Sequence, residues 1–385
     1  MRVEPWGPDA VRVRARLGGP VLDGLPGALL PGHQERLLSA ARAATPNTAL
    51  VLVSAYPYAV DPAPLRAMLW TAHGGQAAGT ALARVLAGDV SPAGRLPQTW
   101  YADDSDLPGL LDYDVIGSRQ TYLYFEGTAL FPFGHGLSYA SFAYDGLSAR
   151  ADGETVRVSC TVTNTGDVTA DEVVQLYLRA MNPSVPRPRR ELAAHRRVTL
   201  APGGSLEAVF GLPLSAFAFW DVAQGRRRLE PGPYELLVGA SSEDIRLRTT
   251  LTLDGEPAAP RPVRERGLEA ADFDEQSGIE IVDRSRTSGD AVTAATGRTG
   301  ELVYRSCDFG EGARGVTAEL SGEGAAEISL DGGPALAVLT PAPATSTSDP
   351  YEYAIVRAGF TADGVHDVRL VLRGTLRLAR VGFSG

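Results

Sequence analysis

The sequence predicts a multidomain chain, an α/β unit followed by two all-β sandwiches, and three observations lead there. Helical and strand-like hydrophobic periods alternate from about residue 32 to 88. Short β-rich runs separated by turns fill about 153 to 253. A second set of such runs follows a stretch rich in Pro and charge, "DGEPAAPRPVRERG" at 254–267. With 385 residues and 44% hydrophobic side chains, two or three domains can each bury a core. The net charge of −10 argues against nucleic acid or an anionic membrane as partner, because both need clustered positive charge to release counterions. A neutral ligand suits the chain better. All 36 basic residues are arginine, which reads as codon bias rather than chemistry.

The N-terminus, "MRVEPWGPDAVRVRARLGG", has no apolar core of an export signal, and no apolar run reaches the roughly 18 residues of a membrane span. That favours the cytoplasm. In "HQERLLSAARAA" the residues Leu37, Leu38 and Ala41 share one helical face, and "TALVLVSA" is a continuous apolar run suited to a buried parallel strand. "GGQAAGTALARVLAG" is a second helix ending at Gly88. One complete strand-helix succession is too little for a sheet covered on both faces, so a partial sheet with an exposed edge is expected, and residues 1–31 are expected to be poorly ordered.

"QTYLYF" alternates as a strand, with Tyr122 and Tyr124 on one face and Leu123 and Phe125 on the other. "FPFGHGLSY" is a glycine-assisted loop leading into the next domain. The aromatics of residues 122–142 are expected to pack between domains; the alternative is that Tyr122 or His135 touches a ligand. The runs "TVRVSCTVTN", "EVVQLYLRA", "RRVTLAPGGSLEAVFGL", "GPYELLVGAS" and "RLRTTLTL" then build the first sandwich. "ELVYRSCDFG", "GVTAELSG", "AAEISLDGG", "YEYAIVRAGF", "HDVRLVLRG" and "LRLARVGF" build the second. The expected organisation is an unmatched segment 1–31, an α/β unit 32–145, a sandwich 146–253, a linker 254–263 and a second sandwich 264–385.

Candidate chemistry is sparse. Cys160 and Cys307 fall in different domains, which argues against a disulfide, and two thiols alone make no zinc site. "YADDSDLPGLLDYD" holds Asp103, Asp104, Asp106, Asp112 and Asp114, but lacks the Gly and terminal Glu of a calcium loop, so a solvated acidic loop is expected. His33, His73, His135, His195 and His366 never fall at metal-ligand spacing. "GLSYA" around Ser138 lacks the final Gly of a nucleophile elbow. "PRPRR" at 186–190 reads as a solvated loop, and Trp70 as core, with His73 beside it. No cofactor and no metal site are expected.

Read in order, "LPGHQERLLSAARAATPNTALVLVSAYPYAV", "AMLWTAHGGQAAGTALARVLAGDVSPAGRLPQTWY" and "TYLYFEGTALFPFGHGLSYASFAY" resemble landmarks of the C-terminal α/β sandwich domain of glycoside hydrolase family 3. "VTNTGDVTADEVVQLYLR", "PRRELAAHRRVTLAPGGS" and "LEPGPYELLVGASS" resemble the fibronectin type III-like domain that follows it in many members. "SAYPYAV", "WTAHGGQ" and "LPQTWY" are more similar to the bacterial β-xylosidase-like branch. The resemblance implies retaining hydrolysis by two carboxylates about 5 Å apart. It places the nucleophile, an Asp, in an N-terminal (β/α)8 barrel that these 385 residues do not contain. It places the acid/base Glu shortly before "LPG", where Asp23 is preceded by Gly19, Pro20, Val21 and Leu22 and followed by Gly24 in place of Arg. Glu4 is too far upstream to serve. No catalytic residue carries over.

Residues 264–385 resemble carbohydrate-binding module family 6, whose members hold sugars on aromatic platforms in a loop cleft. This chain departs at the ligand positions. Glu301 stands where an aromatic is usual, Arg377, Ala379 and Arg380 replace the final strand's Asn and acidic residue, and the early acidic motif reads Glu269, Ala270, Ala271. Tyr351 and Tyr353 remain as carbohydrate platforms, and weak or absent binding to xylan and cello-oligosaccharides is expected. The whole reads as the C-terminal portion of a retaining, exo-acting β-xylosidase or β-glucosidase. Its partners would be β-linked oligosaccharides or xylan-derived sugars and a barrel-bearing half. The alternative is a non-catalytic carbohydrate-binding or scaffolding protein.

Overall fold

The computed structural model describes residues 2–5, 11–14, 30, 32–109, 112, 114–341 and 349–385. Of the segment 1–31 these include residues 2–5, 11–14 and 30, with Arg2–Pro5 paired antiparallel to Val11–Arg14, while Asp23 and Gly24 lie outside the described residues. The chain forms two compact units, 1–217 with 229–255, and 218–228 with 256–385. No helix among the described residues is long and apolar enough to cross a membrane.

In the first unit, the helix Gln34–Ala44 turns Leu37, Leu38 and Ala41 toward the protein as half-buried residues, with Glu35 in its first turn and Arg42 in its last, as the helix dipole favours. The strand Ala49–Val53 pairs in parallel with Ala67–Thr71, Leu52 opposite Trp70. The parallel pairing is as expected, but the burial is not: within the strand only Leu52 is buried, and Val53 is 55% exposed. A two-stranded sheet among the described residues cannot cover a strand on both sides. The core beneath it gathers Leu30, Leu52, Val60 and Trp100. Trp100 meets Trp70 and Phe131 edge-on at 6.0 and 5.8 Å, so Trp70 is core, its indole N–H donating to Ser54 Oγ at 3.0 Å.

"QTYLYF" is not a strand. Thr121–Tyr124 is one helical turn, closed by the Phe125 N–H donating to the Thr121 carbonyl at 2.8 Å. Two amides that a strand would offer to a neighbour are taken by side chains: Thr121 N–H donates to Tyr101 Oη at 2.7 Å and Tyr122 N–H to Thr99 Oγ1 at 2.9 Å. Local alternation lost to two acceptors placed by an earlier segment.

The sandwich that follows packs a three-stranded sheet, Phe142–Asp152, Thr155–Asn164, Ser205–Pro213, on a four-stranded one, ordered Ile245–Leu253, Gly232–Gly239, Ala170–Ala180, Glu191–Leu200. Val156, Val158, Cys160 and Val162 alternate inward and are buried, as a half-covered strand requires. In Ala170–Ala180, Val174 through Leu178 are all buried. Val174, Leu176 and Leu178 enter the sandwich core, while the side chains of Gln175 and Tyr177 meet the aromatic segment of the α/β region.

The second unit packs two antiparallel-rich sheets around a core that includes Leu302, Tyr304, Phe309, Leu370, Leu378 and Phe383. One sheet runs Arg261–Pro262, Gly300–Asp308, Val365–Gly374, Gly324–Leu330, Ala337–Leu339; the other runs Ile279–Asp283, Asp290–Ala294, Arg377–Ser384, Ala313–Ser321, Ala354–Ala362. The Pro-rich stretch is pinned within this unit. The Gln224 amide donates to the carbonyls of Ala259 and Pro260, Arg228 to that of Glu256, and buried Arg261 reaches Asp274 at 2.9 Å with its guanidinium over Tyr304. Cys160 and Cys307 are buried free thiols, and burial raises them to about 11 and about 12.

Candidate functional site

The aromatic segment 122–142 serves packing within the first unit. The Tyr122 ring stacks on Phe133 at 4.1 Å and 9°, meets Tyr177 edge-on at 6.2 Å, and its oxygen accepts from Leu192 N–H at 3.2 Å. Burial raises its pKa. The His135 ring stacks on Phe131 at 5.1 Å, and its pKa is lowered by burial and then by Arg95, which keeps the imidazole neutral. Gly134 sits at φ +80, its carbonyl accepting from Gln175 Nε2 at 3.0 Å. Arg95 Nη2 reaches Glu172 Oε1 at 2.8 Å from the α/β side.

"PRPRR" is a loop with Pro186 and Arg189 exposed, as expected, and its last two arginines also make contacts within the first unit. The Arg189 N–H donates to the Leu123 carbonyl at 2.8 Å and its guanidinium to that of Phe125, while Arg190 reaches the Ser242 carbonyl and Glu243. Arg189 thus ties the helical turn to the sandwich, while Arg190 braces the sandwich itself. The acidic loop behaves as a set of turn caps. Asp103 accepts from Ser105 N–H at 2.9 Å, Asp112 from Asp114 N–H at 3.0 Å and Asp114 from Gly117 N–H at 2.8 Å. Ser138 Oγ shares a hydrogen bond with Ser91 Oγ at 3.0 Å, a hydroxyl pair with no base in it. His33, His73 and His195 are exposed and separate. Among the described residues, no group of three or more His, Cys, Asp or Glu is arranged to hold a metal.

The second unit holds the remaining candidates. Glu301, standing where an aromatic is usual, is gripped in bidentate fashion by Arg369, Nε to Oε1 at 2.5 Å and Nη2 to Oε2 at 2.6 Å. Those bonds lower its pKa. The partner stands on the adjacent strand, which the sequence alone could not pair with it. Arg380 spans the early acidic motif, donating to the Arg266 carbonyl at 2.6 Å and lying 3.5 Å from Glu269, so a guanidinium supplies positive charge to both oxygens.

Tyr351 and Tyr353 do stand together, just before the strand Ala354–Ala362 and beside Arg377, the first residue of Arg377–Ser384. Both are half-buried. The Asp349 carboxylate accepts the Tyr351 N–H at 3.0 Å and so sets the turn. Two guanidinium carbons lie over the Tyr351 ring, Arg286 at 5.2 Å and Arg377 at 5.4 Å. The Tyr353 hydroxyl is buried, and that burial raises its pKa against the influence of Arg377. Arg286, which no pattern in the sequence places here, pairs with Asp349 across 63 residues of chain at 3.3 Å. No local signal pointed to it. The arrangement is an aromatic surface framed by cations.

Residues 24–139 match the glycosyl hydrolase family 3 C-terminal domain, 172–242 a fibronectin type III-like domain, and 269–385 carbohydrate binding module family 6. The chain is similar to a beta-glucosidase of Rhizobium radiobacter, 40% identical over 250 residues, covering 60% of this chain and 30% of that protein. It is also similar to a xylan 1,4-beta-xylosidase of Xylanibacter ruminicola, 37% identical over 229 residues, covering 58% and 26%. Among solved structures, the family 3 beta-glucosidase of Bifidobacterium adolescentis superposes with a TM-score of 0.57 at 35% identity, covering 63% of this chain and 38% of that one. The chain spans about a third of the length of the relatives it matches.

Proposed function

From a chain that carries the C-terminal domain of glycosyl hydrolase family 3, then a fibronectin type III-like domain and a family 6 carbohydrate-binding module, we propose the C-terminal portion of a retaining, exo-acting β-glycosidase. The complete enzyme would remove terminal non-reducing β-linked glucose or xylose through a covalent glycosyl intermediate, and a barrel-bearing half would supply the nucleophile. The observation that carries this reading is the collinear match of the first two domains together with the packed seam between them. Tyr122, Phe133 and Gly134 build that seam with Gln175, Tyr177 and Leu192, so the two regions meet through direct packing and hydrogen bonds rather than as two modules on a string.

A chimera tests it. Residues 24–253 replace the corresponding part of the Rhizobium radiobacter relative, and the product is assayed on aryl β-glucoside and aryl β-xyloside. Turnover by the chimera is expected; a folded chimera without turnover would overturn the reading.

A further inference from the structure

We propose that the cavity at Arg264, Glu265 and Asp308, in the second unit, binds a short neutral saccharide through its hydroxyl groups. The proposal rests on the carbohydrate-binding reading of residues 269–385 and gives the sugar a place apart from the tyrosine pair. Tyr351 and Tyr353 stand at the Arg377 end of the strand Arg377–Ser384. The cavity lies at its Ser384 end, roughly 20 Å away along an extended chain.

The cavity has a volume of about 450 Å³, inside the range of about 300–1,000 Å³ usual for small-molecule sites. Its lining combines the apolar Pro262 and Phe383 with Arg264, Glu265, Asp308 and Ser384. Among the described residues, the side chains of Arg264 and Glu265 enter no hydrogen bond or ion pair. Asp308 spends one oxygen, Oδ1 accepting the Gly310 N–H at 2.8 Å, and keeps Oδ2. One cavity thus holds unspent guanidinium donors and unspent carboxylate acceptors that do not pair with each other. An anion entering it would meet two carboxylates, and a cation would meet the guanidinium. A sugar hydroxyl donates and accepts at once, so a neutral polyol takes both signs of group as charge-assisted hydrogen bonds.

The backbone around these groups is fixed. The Phe309 N–H donates to the Gly364 carbonyl at 2.7 Å and the Gly364 N–H to that of Gly310 at 3.1 Å. Val263, fully buried, anchors the turn that carries Arg264 and Glu265, and the Gly267 N–H closes it on the Val263 carbonyl at 2.9 Å. Glycines leave room beside the guanidinium. A Cβ on Gly385 would stand 2.8 Å from Arg264 Nη2, and one on Gly310 would stand 3.9 Å from Nη1. A frame that is already ordered leaves only the side chains of Arg264 and Glu265 to be fixed on binding.

The test is calorimetric titration of the full chain with xylotetraose and cellotetraose, and separately with sodium acetate and calcium chloride. At least one tetrasaccharide is expected to bind, with an affinity little altered by salt because the ligand carries no charge. Arg264→Ala and Glu265→Ala are each expected to weaken that binding by at least about tenfold, since each removes charge-assisted hydrogen bonds. Both side chains are exposed and unpaired, so both variants should melt with the wild type; if one does not fold, the other decides. Sugar binding weakened by neither substitution would overturn the proposal while leaving the carbohydrate-binding reading intact. Binding of neither tetrasaccharide would overturn both. Acetate or calcium bound more tightly than the sugars would overturn the assignment of a neutral ligand.

Discussion

Arg95 Nη2 lies 2.8 Å from Glu172 Oε1 with both side chains less than a tenth exposed, 9% and 6%, so one ion pair joins the loop of the α/β region to the sandwich strand Ala170–Ala180. The pair has lost most of its water, and its geometry compensates only while both members are present. Glu172 also accepts the Val173 N–H at 2.7 Å. Arg95→Ala is therefore expected to cost roughly 3–5 kcal/mol, because it leaves a buried carboxylate alone. Replacing both residues by apolar ones, Arg95→Met with Glu172→Leu, should cost much less than the two single changes together. Urea unfolding of the four proteins checks this; additive losses would show that the two residues are not coupled.

Gly134 is the tightest joint of the seam. At φ +80 any other residue is strained, and a Cβ there would stand 2.0 Å from Gln175 Oε1 and 2.9 Å from Tyr177 Oη. Gln175 would have to withdraw from the carbonyls of Gly134 and Ala240. Gly134→Ala is expected to lower stability by about 2–4 kcal/mol, from the backbone strain and the orphaned amide together. The urea midpoint should fall with little change in slope. A midpoint unmoved from wild type would mean the seam yields at no cost.

His366 has an oxygen acceptor on each ring nitrogen, Asp331 Oδ2 at 2.6 Å from Nδ1 and the Asp363 carbonyl at 2.7 Å from Nε2. Only the imidazolium donates from both. The Asp331 hydrogen bond is the main cause raising the His366 pKa, and His366 is the main cause lowering that of Asp331. The folded His366 pKa exceeds the unfolded value of about 6.5, so its contribution is full below that pH and is lost as pH rises through the folded value. The Asp331 contribution is full above about pH 3.9 and is lost as pH falls through the lower folded value. The pair therefore stabilises the second unit at mildly acidic pH. The melting temperature of wild type should exceed that of Asp331→Asn by about 2–4 °C near pH 5.5, with the gap closing above neutrality. A gap that stays constant to pH 9 would refute the linkage.

The family resemblance carries neither a nucleophile nor an acid/base residue over to these 385 residues, and retaining hydrolysis needs both. The purified chain is accordingly expected to turn over aryl β-xyloside and aryl β-glucoside no faster than buffer. Activity that disappears on substitution of one of its own Asp or Glu residues would contradict this.

The sequence by itself determined the order of the domains and the character of most elements. The helix Gln34–Ala44, the parallel strand Ala49–Val53 and the alternating strand Thr155–Asn164 follow from periods of 3.6 and 2.0, which are local and need no partner to be read. What only the tertiary structure decided was whatever depends on a distant partner. Thr99 and Tyr101 turn residues 121–124 from an alternating run into a helical turn, and the exposed Arg189 reaches back to hold it. Glu301 finds Arg369 68 residues away, while Arg286 and Arg377 converge on the Tyr351 ring. A guanidinium reaches several ångströms from its backbone, and its acceptor is chosen by strand register, which no local pattern of residues encodes.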